Sequence, residues 1–175
     1  MDAYLHAALE EIERTVGPLD VATIARPVAG RWSIAEILEH LALAFTGNAN
    51  TLEKALASGE ARGRPPTLAQ WLGRLLVIDV GYFPRAGAPE RTRPRGGIPP
   101  ERSLAAVRDA VTVLDATLSR ASVRFGDTAR VANHPYFHGL TVPQWRKFHW
   151  RHTVHHMSQV RARAAHAQAS GAAVK

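Results

Sequence analysis

The sequence predicts an all-α fold, an antiparallel bundle of four or five amphipathic helices. Apolar residues recur at the 3.6-residue spacing of a helix in every long segment, and clusters of Pro and Gly divide these segments. No alternating strand pattern runs for more than a few residues. The chain has 175 residues, a length that suits one domain covering residues 1–175.

Two helices are predicted in the first third of the chain. Residues 1–16 carry apolar side chains at helical spacing, and the Gly-Pro pair at 17–18 ends this segment. After a connector, Ser33 is a good N-cap with Glu36 three residues later, which is the capping-box pattern. This cap opens a long helix whose apolar stripe continues to Leu56, and the sequence SGEARGRPP closes it.

Three further helices are predicted in the rest of the chain. Thr67 caps a shorter helix that ends near Phe83, and residues 103–122 form another amphipathic segment. The last long helix opens after Thr141, with Pro143 in its first turn, and runs to about Gln168.

The segment Pro84–Pro100 is rich in Pro, Gly and Arg and has almost no large apolar side chain. This composition is typical of a surface connector, and the alternative is a mobile lid over a site. In either case its arginines could attract an anionic substrate.

Composition excludes several classes of protein and site. The chain has no cysteine, which excludes disulfides, thiolate zinc sites and a cysteine nucleophile. Its longest apolar runs are too short to cross a bilayer. The first residues include acids where a secretory signal would be basic and apolar, so we expect a cytoplasmic protein with no membrane partner.

The net charge of +7 raises the alternative of a nucleic-acid-associated protein. Much of the positive charge lies in residues 85–97 and in the C-terminal tail, with no helix-turn-helix pattern between them. A diffuse basic surface explains this distribution better than a nucleic-acid interface does.

Histidines are concentrated in the last long helix. His152 and His156 are four residues apart and therefore project from one side of the helix, where they could chelate an ion. The pairs 152/155 and 149/152 are geometric alternatives. Two imidazoles hold a metal weakly, so a third ligand from another helix is needed, and His40 lies at or beside the apolar stripe of the Ser33 helix.

Two segments resemble the signatures of the DinB-like, or YfiT-like, metalloenzyme superfamily. The first is GRWSIAEILEHLAL at residues 30–43, and the second is NHPYFHGLTVPQWRKFHWRHTVHHMSQV at residues 133–160. The second is closest to an uncharacterised bacterial branch, although His138 stands where that branch has Phe followed directly by Gly.

The resemblance implies a four-helix bundle, here with one additional short helix and long loops. It also implies a divalent transition metal (Zn, Ni or Fe) on three histidines, which match His40, His152 and His156 of this sequence. Because imidazole must be neutral to bind, metal occupancy is expected to fall below about pH 6.

A general base is harder to assign. Glu36 lies one turn before His40 and could accept a proton, although capping explains it as well, and His155 is a second candidate beside the predicted ligands. His149 and His134 are further candidates, and Glu39 is expected to face solvent. Gln159 is expected to support a ligand or to pack, and the remaining aromatic residues of the two motifs are expected in the core, namely Trp32, Trp145 and Phe148.

Three functional classes stay open at this point. The resemblance favours a metal-dependent enzyme that acts on a small molecule, either as a hydrolase or as a transferase that uses a low-molecular-weight thiol. The second class is a non-catalytic metal-binding or stress-response protein of the same fold, which could form a homodimer through exposed apolar helix faces. The third is the nucleic-acid-associated protein suggested by charge alone.

Overall fold

The structure, a computed structural model, describes residues 1–84 and 87–172. Four long helices dominate it and confirm the predicted all-α bundle. The helices are α1 (Ala3–Val16), α2 (Val21–Ala25), α3 (Ile34–Ser58), α4 (Leu68–Arg74), α5 (Pro100–Phe125) and α6 (Val142–Ala172). A π-helical turn (Leu75–Val80) extends α4, and a 3-10 turn (Glu90–Thr92) precedes α5.

The helix starts follow local capping signals. The Ser33 hydroxyl accepts the backbone N–H of Glu36 at 3.2 Å, and the Glu36 carboxylate accepts the N–H of Ser33 at 2.7 Å, which is the predicted capping box. Thr67 forms a second capping box at α4. Helix α2 was not predicted, because a five-residue helix is too short to show a periodic apolar pattern.

Helices α1 and α6 run parallel to each other. Near the start of both helices Asp2 pairs with Arg146 at 3.6 Å, and further along both helices Glu11 pairs with Arg161 at 2.6 Å. The later residue of α1 contacts the later residue of α6, so the chain runs in the same direction in both helices.

Helices α3 and α5 form a second parallel pair. Glu39, near the start of α3, accepts the N–H of Gly97 just before α5, and Glu53 lies beside Arg120 further along both helices. A parallel pair needs a long return connection, and residues 59–99 provide it. The two pairs run antiparallel to each other, because His40 of α3 lies beside His156 of α6, whereas Asn48, later in α3, contacts His149, earlier in α6.

The core lies between the four long helices. It is formed by aliphatic side chains at helical spacing, together with a few aromatic rings that α3 and α6 supply. Fully buried examples are Leu5, Ile12, Leu38, Phe45, Leu52, Val111, Leu114, Trp145 and Val160.

A small hairpin precedes α6. Its strands β1 (Ala132–His134) and β2 (His138–Leu140) are antiparallel and three residues each, which is too short for a strand pattern in the sequence. The N–H of Gly139 donates to the carbonyl of Arg64 at 2.9 Å, so the connection after α3 lies against the hairpin. A Cβ at Gly139 would lie 2.7 Å from that carbonyl oxygen, and the close approach therefore requires glycine.

The Pro84–Pro100 segment was predicted as a surface connector or a lid. Arg85 and Ala86 lie outside the described residues. The part that follows is attached to α3 through the carbonyl of Thr92 and the N–H groups of residues 95–97. Within the described ranges, no helix has the length and hydropathy needed to span a membrane.

Candidate metal centre

Three histidine side chains from two helices converge. His40 projects from the second turn of α3, and His152 and His156 project from α6 one turn apart. Nε2 of His152 lies 3.3 Å from Nε2 of His40 and 3.1 Å from Nε2 of His156. One ring nitrogen from each of the three residues lies within 4.8 Å of the other two. The structure therefore brings together the three residues that the sequence selected.

The spacing of these nitrogens suits coordination of one ion. Imidazole nitrogens at about 2.0–2.1 Å from a metal lie about 3.4 Å apart in tetrahedral geometry and about 3.0 Å apart on one face of an octahedron. The separations of Nε2 of His152 from the other two Nε2 atoms, 3.1 and 3.3 Å, fall between these values. The group could hold a divalent transition metal, and imidazole ligands alone do not select its identity.

Two hydrogen bonds fix the tautomers of His40 and His156. Nδ1 of His40 lies 2.7 Å from the carbonyl oxygen of Thr92. Because a carbonyl only accepts, this Nδ1–H donates, and Nε2 keeps its lone pair. Nδ1 of His156 donates to the amide oxygen of Gln159 at 3.1 Å, with the same consequence. Such bonds orient histidines that bind metals.

Burial keeps the three rings neutral. The pKa of His156 is lowered to about 3, chiefly by burial and also by the neighbouring rings of His40 and His155. Burial also lowers the pKa of His40, against the hydrogen bond that its Nδ1–H donates to the Thr92 carbonyl, which raises the pKa. The pKa of His152 is held well below its usual value, first by burial and then by the adjacent histidines. Neutral imidazole is the form that binds a metal.

The three histidines form part of the wall of a cavity of about 510 Å³. Much of the remaining wall is apolar and aromatic, with Trp32, Phe83, Phe137 and Phe148 among the lining side chains. A set of three ligands beside a cavity leaves room for water or substrate at the ion, unlike a structural site closed by protein ligands.

Comparison with known proteins places the chain in a family. The family model described as "Protein of unknown function (DUF1569)" matches residues 4–163, which include all three histidines. The chain belongs to the DUF1569 family. It is also 28% identical to "Uncharacterized protein YuaE" of Bacillus subtilis (strain 168) over 165 residues, covering 92% of this chain and 94% of that protein. No solved structure matches the chain.

Two other histidines of the DUF1569 chain lie beside the group without joining it. The half-buried ring of His155 lines the cavity, stacks on Phe83 and lies with Nε2 3.1 Å from the amide nitrogen of Gln159. His149 is fully buried, and its Nε2 accepts the Asn48 amide N–H at 3.2 Å. The alternative pairs 152/155 and 149/152 are therefore not the ones that meet His40.

The two glutamates near His40 have different roles in this DUF1569 structure. The carboxylate of Glu36 is engaged in the capping box and is not among the residues that line the cavity. The expectation that Glu39 faces solvent is wrong. Its side chain is 4% exposed and accepts three backbone N–H groups of residues 95–97 at 3.0–3.2 Å. Glu39 thus holds the segment that follows Thr92.

The aromatic residues of the DUF1569 chain divide between core and cavity. Trp145 is fully buried, as predicted for the core. Phe148 is also buried in the core, as predicted, and its ring lines the cavity as well. Trp32 is only partly buried: it packs against the core and lines the cavity, and its ring centroid lies 5.0 Å from that of His40. An apolar stripe in a sequence cannot distinguish a side chain packed against protein from one that faces a cavity.

His134, one of the further candidates for a general base, lines the cavity. Its buried ring stacks on Phe137, and Nδ1 accepts the N–H of Tyr136 at 3.2 Å, so a neutral ring carries its proton on Nε2. The pKa of His134 is lowered to about 3, chiefly by burial and also by the charge of Arg91. In the sequence, the signal that placed His134 near the site was its position in the second motif, directly before Pro135.

Proposed function

We propose that this DUF1569 protein is a metal-dependent enzyme that acts on a small molecule by hydrolysis or thiol-dependent transfer. The proposed ligands are His40, His152 and His156, the ion is Zn, Ni or Fe, and the family is a branch of the DinB-like superfamily. The observation that carries the proposal is the meeting of three imidazoles at the wall of a 510 Å³ cavity.

Hydrogen bonding supports a cation at this point. His40 and His156 both direct Nε2 lone pairs toward Nε2 of His152. A proton on Nε2 of His152 can form a well-aligned hydrogen bond with only one of these neighbours, and Nδ1 of His152 is buried without a partner in the described part of the chain. A metal would satisfy all three Nε2 atoms together.

Residues of the chain have distinct tasks in this proposal. A bound divalent metal would lower the pKa of a water or thiol and polarise a carbonyl group. Thr92 and Gln159 hold two of the rings in the tautomer that presents Nε2. His155 is better placed than Glu36 to move a proton, because it lines the cavity and its ring centroid lies 5.1 Å from that of His156.

Metal content tests the site. Protein purified without a polyhistidine tag or a metal column should contain about one divalent ion per chain by inductively coupled plasma mass spectrometry. Replacing His40, His152 or His156 by Ala should lower that content at least about tenfold, because two imidazoles hold an ion weakly. The matched controls His149→Ala and His155→Ala should keep most of it.

Two results would contradict this assignment. If His155→Ala empties the site while His156→Ala does not, the chelating pair is 152/155. If the wild type holds no metal after reconstitution, or all five variants keep the wild-type content, the histidines form a structural cluster, and the enzyme proposal loses its chemical basis.

The same metal site in a non-catalytic or stress-response protein is the second candidate function. Multiple-turnover assays with ester, amide and thiol-acceptor substrates separate the two. Turnover that depends on added metal and disappears in His152→Ala supports an enzyme. Stoichiometric metal binding without turnover across these substrate classes supports the second candidate.

The nucleic-acid alternative receives less support from the distribution of charge. Several arginines contact carboxylates, which lowers the positive potential of the surface. These arginines are Arg93, Arg108, Arg120 and Arg161. DNA binding whose affinity falls steeply with added salt would favour this alternative.

A homodimer remains part of the proposal. Helix α4 and the π-helical turn expose large apolar side chains, including Leu68, Trp71, Leu72 and Val80. An apolar surface of this kind is typical of an interaction site. Sedimentation equilibrium of the wild type and of Trp71→Lys tests it, and a monomeric wild type would contradict it.

A further inference from the structure

The cavity beside the three histidines has an uneven distribution of charge. Among the described residues that line it there is no aspartate, glutamate or lysine, and Arg91 is the one side chain with a permanent charge. The other lining groups are apolar, aromatic or neutral polar. Arg91 itself is exposed. An apolar cavity with one permanent positive charge among its lining residues favours a ligand that carries one negative charge.

Arg91 is not neutralised by a neighbouring acid. In the part of the chain that the structure describes, no carboxylate lies within ion-pair distance of it, because the adjacent Glu90 contacts Arg93 at 3.1 Å and Arg95 at 3.7 Å instead. Arg91 also belongs to the same 3-10 turn as Thr92, whose carbonyl contacts His40. The charge and the candidate metal centre are therefore held together by one short segment.

We propose that the ligand of this cavity is a mainly apolar small molecule with one anionic group, of the aromatic carboxylate or sulfonate class. The anion contacts the guanidinium of Arg91, which can donate two parallel hydrogen bonds. The apolar body packs against Phe83, Phe137 and Phe148. The volume of about 510 Å³ lies in the range of small-molecule sites. This inference rests on the proposed function, because it names the substrate class of the same cavity.

Two fluorescent probes of nearly the same shape test the proposal on metal-free protein. One is 8-anilinonaphthalene-1-sulfonate, which is anionic, and the other is N-phenyl-1-naphthylamine, its uncharged counterpart. The wild type should bind the sulfonate more tightly than the neutral probe. Arg91→Gln should weaken sulfonate binding at least about tenfold and leave the neutral probe unchanged, since one charge-assisted contact is lost.

Two control variants locate the binding. Arg93→Gln removes a neighbouring arginine that is paired with Glu90 and does not line the cavity, so it should bind both probes like the wild type. Gly73→Leu should exclude both probes. Gly73 lines the cavity, and among the described residues the one atom that a Cβ added at Gly73 would approach within 4 Å outside its own helix belongs to Phe137, at 3.9 Å, so the longer side chain can enter the cavity.

Each outcome decides the proposal. Sulfonate binding that survives Gly73→Leu would place the probe on the surface and overturn it. Equal effects of Arg91→Gln and Arg93→Gln, or no binding of either probe by the wild type, would also overturn it. These assays use metal-free protein. A wild type that binds no metal would therefore contradict the proposed enzyme function and leave the probe result unchanged.

Discussion

Replacement of His149 should remove part of the acid sensitivity of the fold. This ring is fully buried, stacks on Phe45 and has a pKa lowered by burial to about 3, with a smaller contribution from His134. At about pH 5 the native ring stays neutral, while the unfolded ring, with a pKa of about 6.5, is mostly protonated. Protonation of the ring therefore stabilises the unfolded state at about pH 5 by about 2 kcal/mol. This value follows because pH 5 lies about 1.5 units below the unfolded pKa and each unit corresponds to about 1.36 kcal/mol.

The sign of this effect is unambiguous, because a histidine with a lowered native pKa stabilises the unfolded state once the pH falls below about 6.5. Urea unfolding of metal-free protein at about pH 7.5 and about pH 5 gives the loss of unfolding free energy. His149→Gln should lose about 2 kcal/mol less than the wild type over this interval. An equal loss in His149→Gln and the wild type would refute the reasoning.

Three further outcomes are expected. Gly139→Ala should lower the unfolding free energy by about 1–3 kcal/mol in urea titrations, whereas Gly47→Ala, in an open position of α3, should not lower it. Glu39→Gln should lower stability by about 1–3 kcal/mol and speed amide hydrogen exchange of residues 95–97, and unchanged exchange would contradict its anchoring role. The sequence alone predicted that metal occupancy falls below about pH 6, on the reference pKa of histidine. Because the pKa of His156 is lowered to about 3, protons compete less, and the structure instead predicts that metal is retained below about pH 6. Release centred at about pH 6.5 in a chelator-dye titration would contradict this.

Much of the fold could be predicted because its signals are local. The cap of α3 involves Ser33 and Glu36 within one turn, and the shared face of His152 and His156 follows from helical geometry alone. The position of His40 opposite them depends on how α3 packs against α6 in the tertiary structure. The sequence supplied only an apolar stripe and a family resemblance for it.

The features that escaped prediction depend on distant partners. Glu39 looks like a solvent-facing acid by its angle on α3, but the N–H groups that it binds come from residues 95–97, more than fifty residues later. The hairpin strands are three residues each and are held partly by Arg62 and Arg64 of another connection. Periodicity within one segment carries no information about such pairings.

The parallel arrangement of α3 and α5 places the three histidines and much of the cavity wall on different parts of the chain. The three nitrogens stand on rigid helices, whereas the return connection 59–99 that this arrangement requires supplies much of the opposite cavity wall, from Ala69 to Arg91. That connection can change in length and composition without moving the histidines, provided that the Thr92 carbonyl keeps its place. Proteins of this architecture could therefore diversify in the molecules they accept while inheriting one unaltered set of imidazoles.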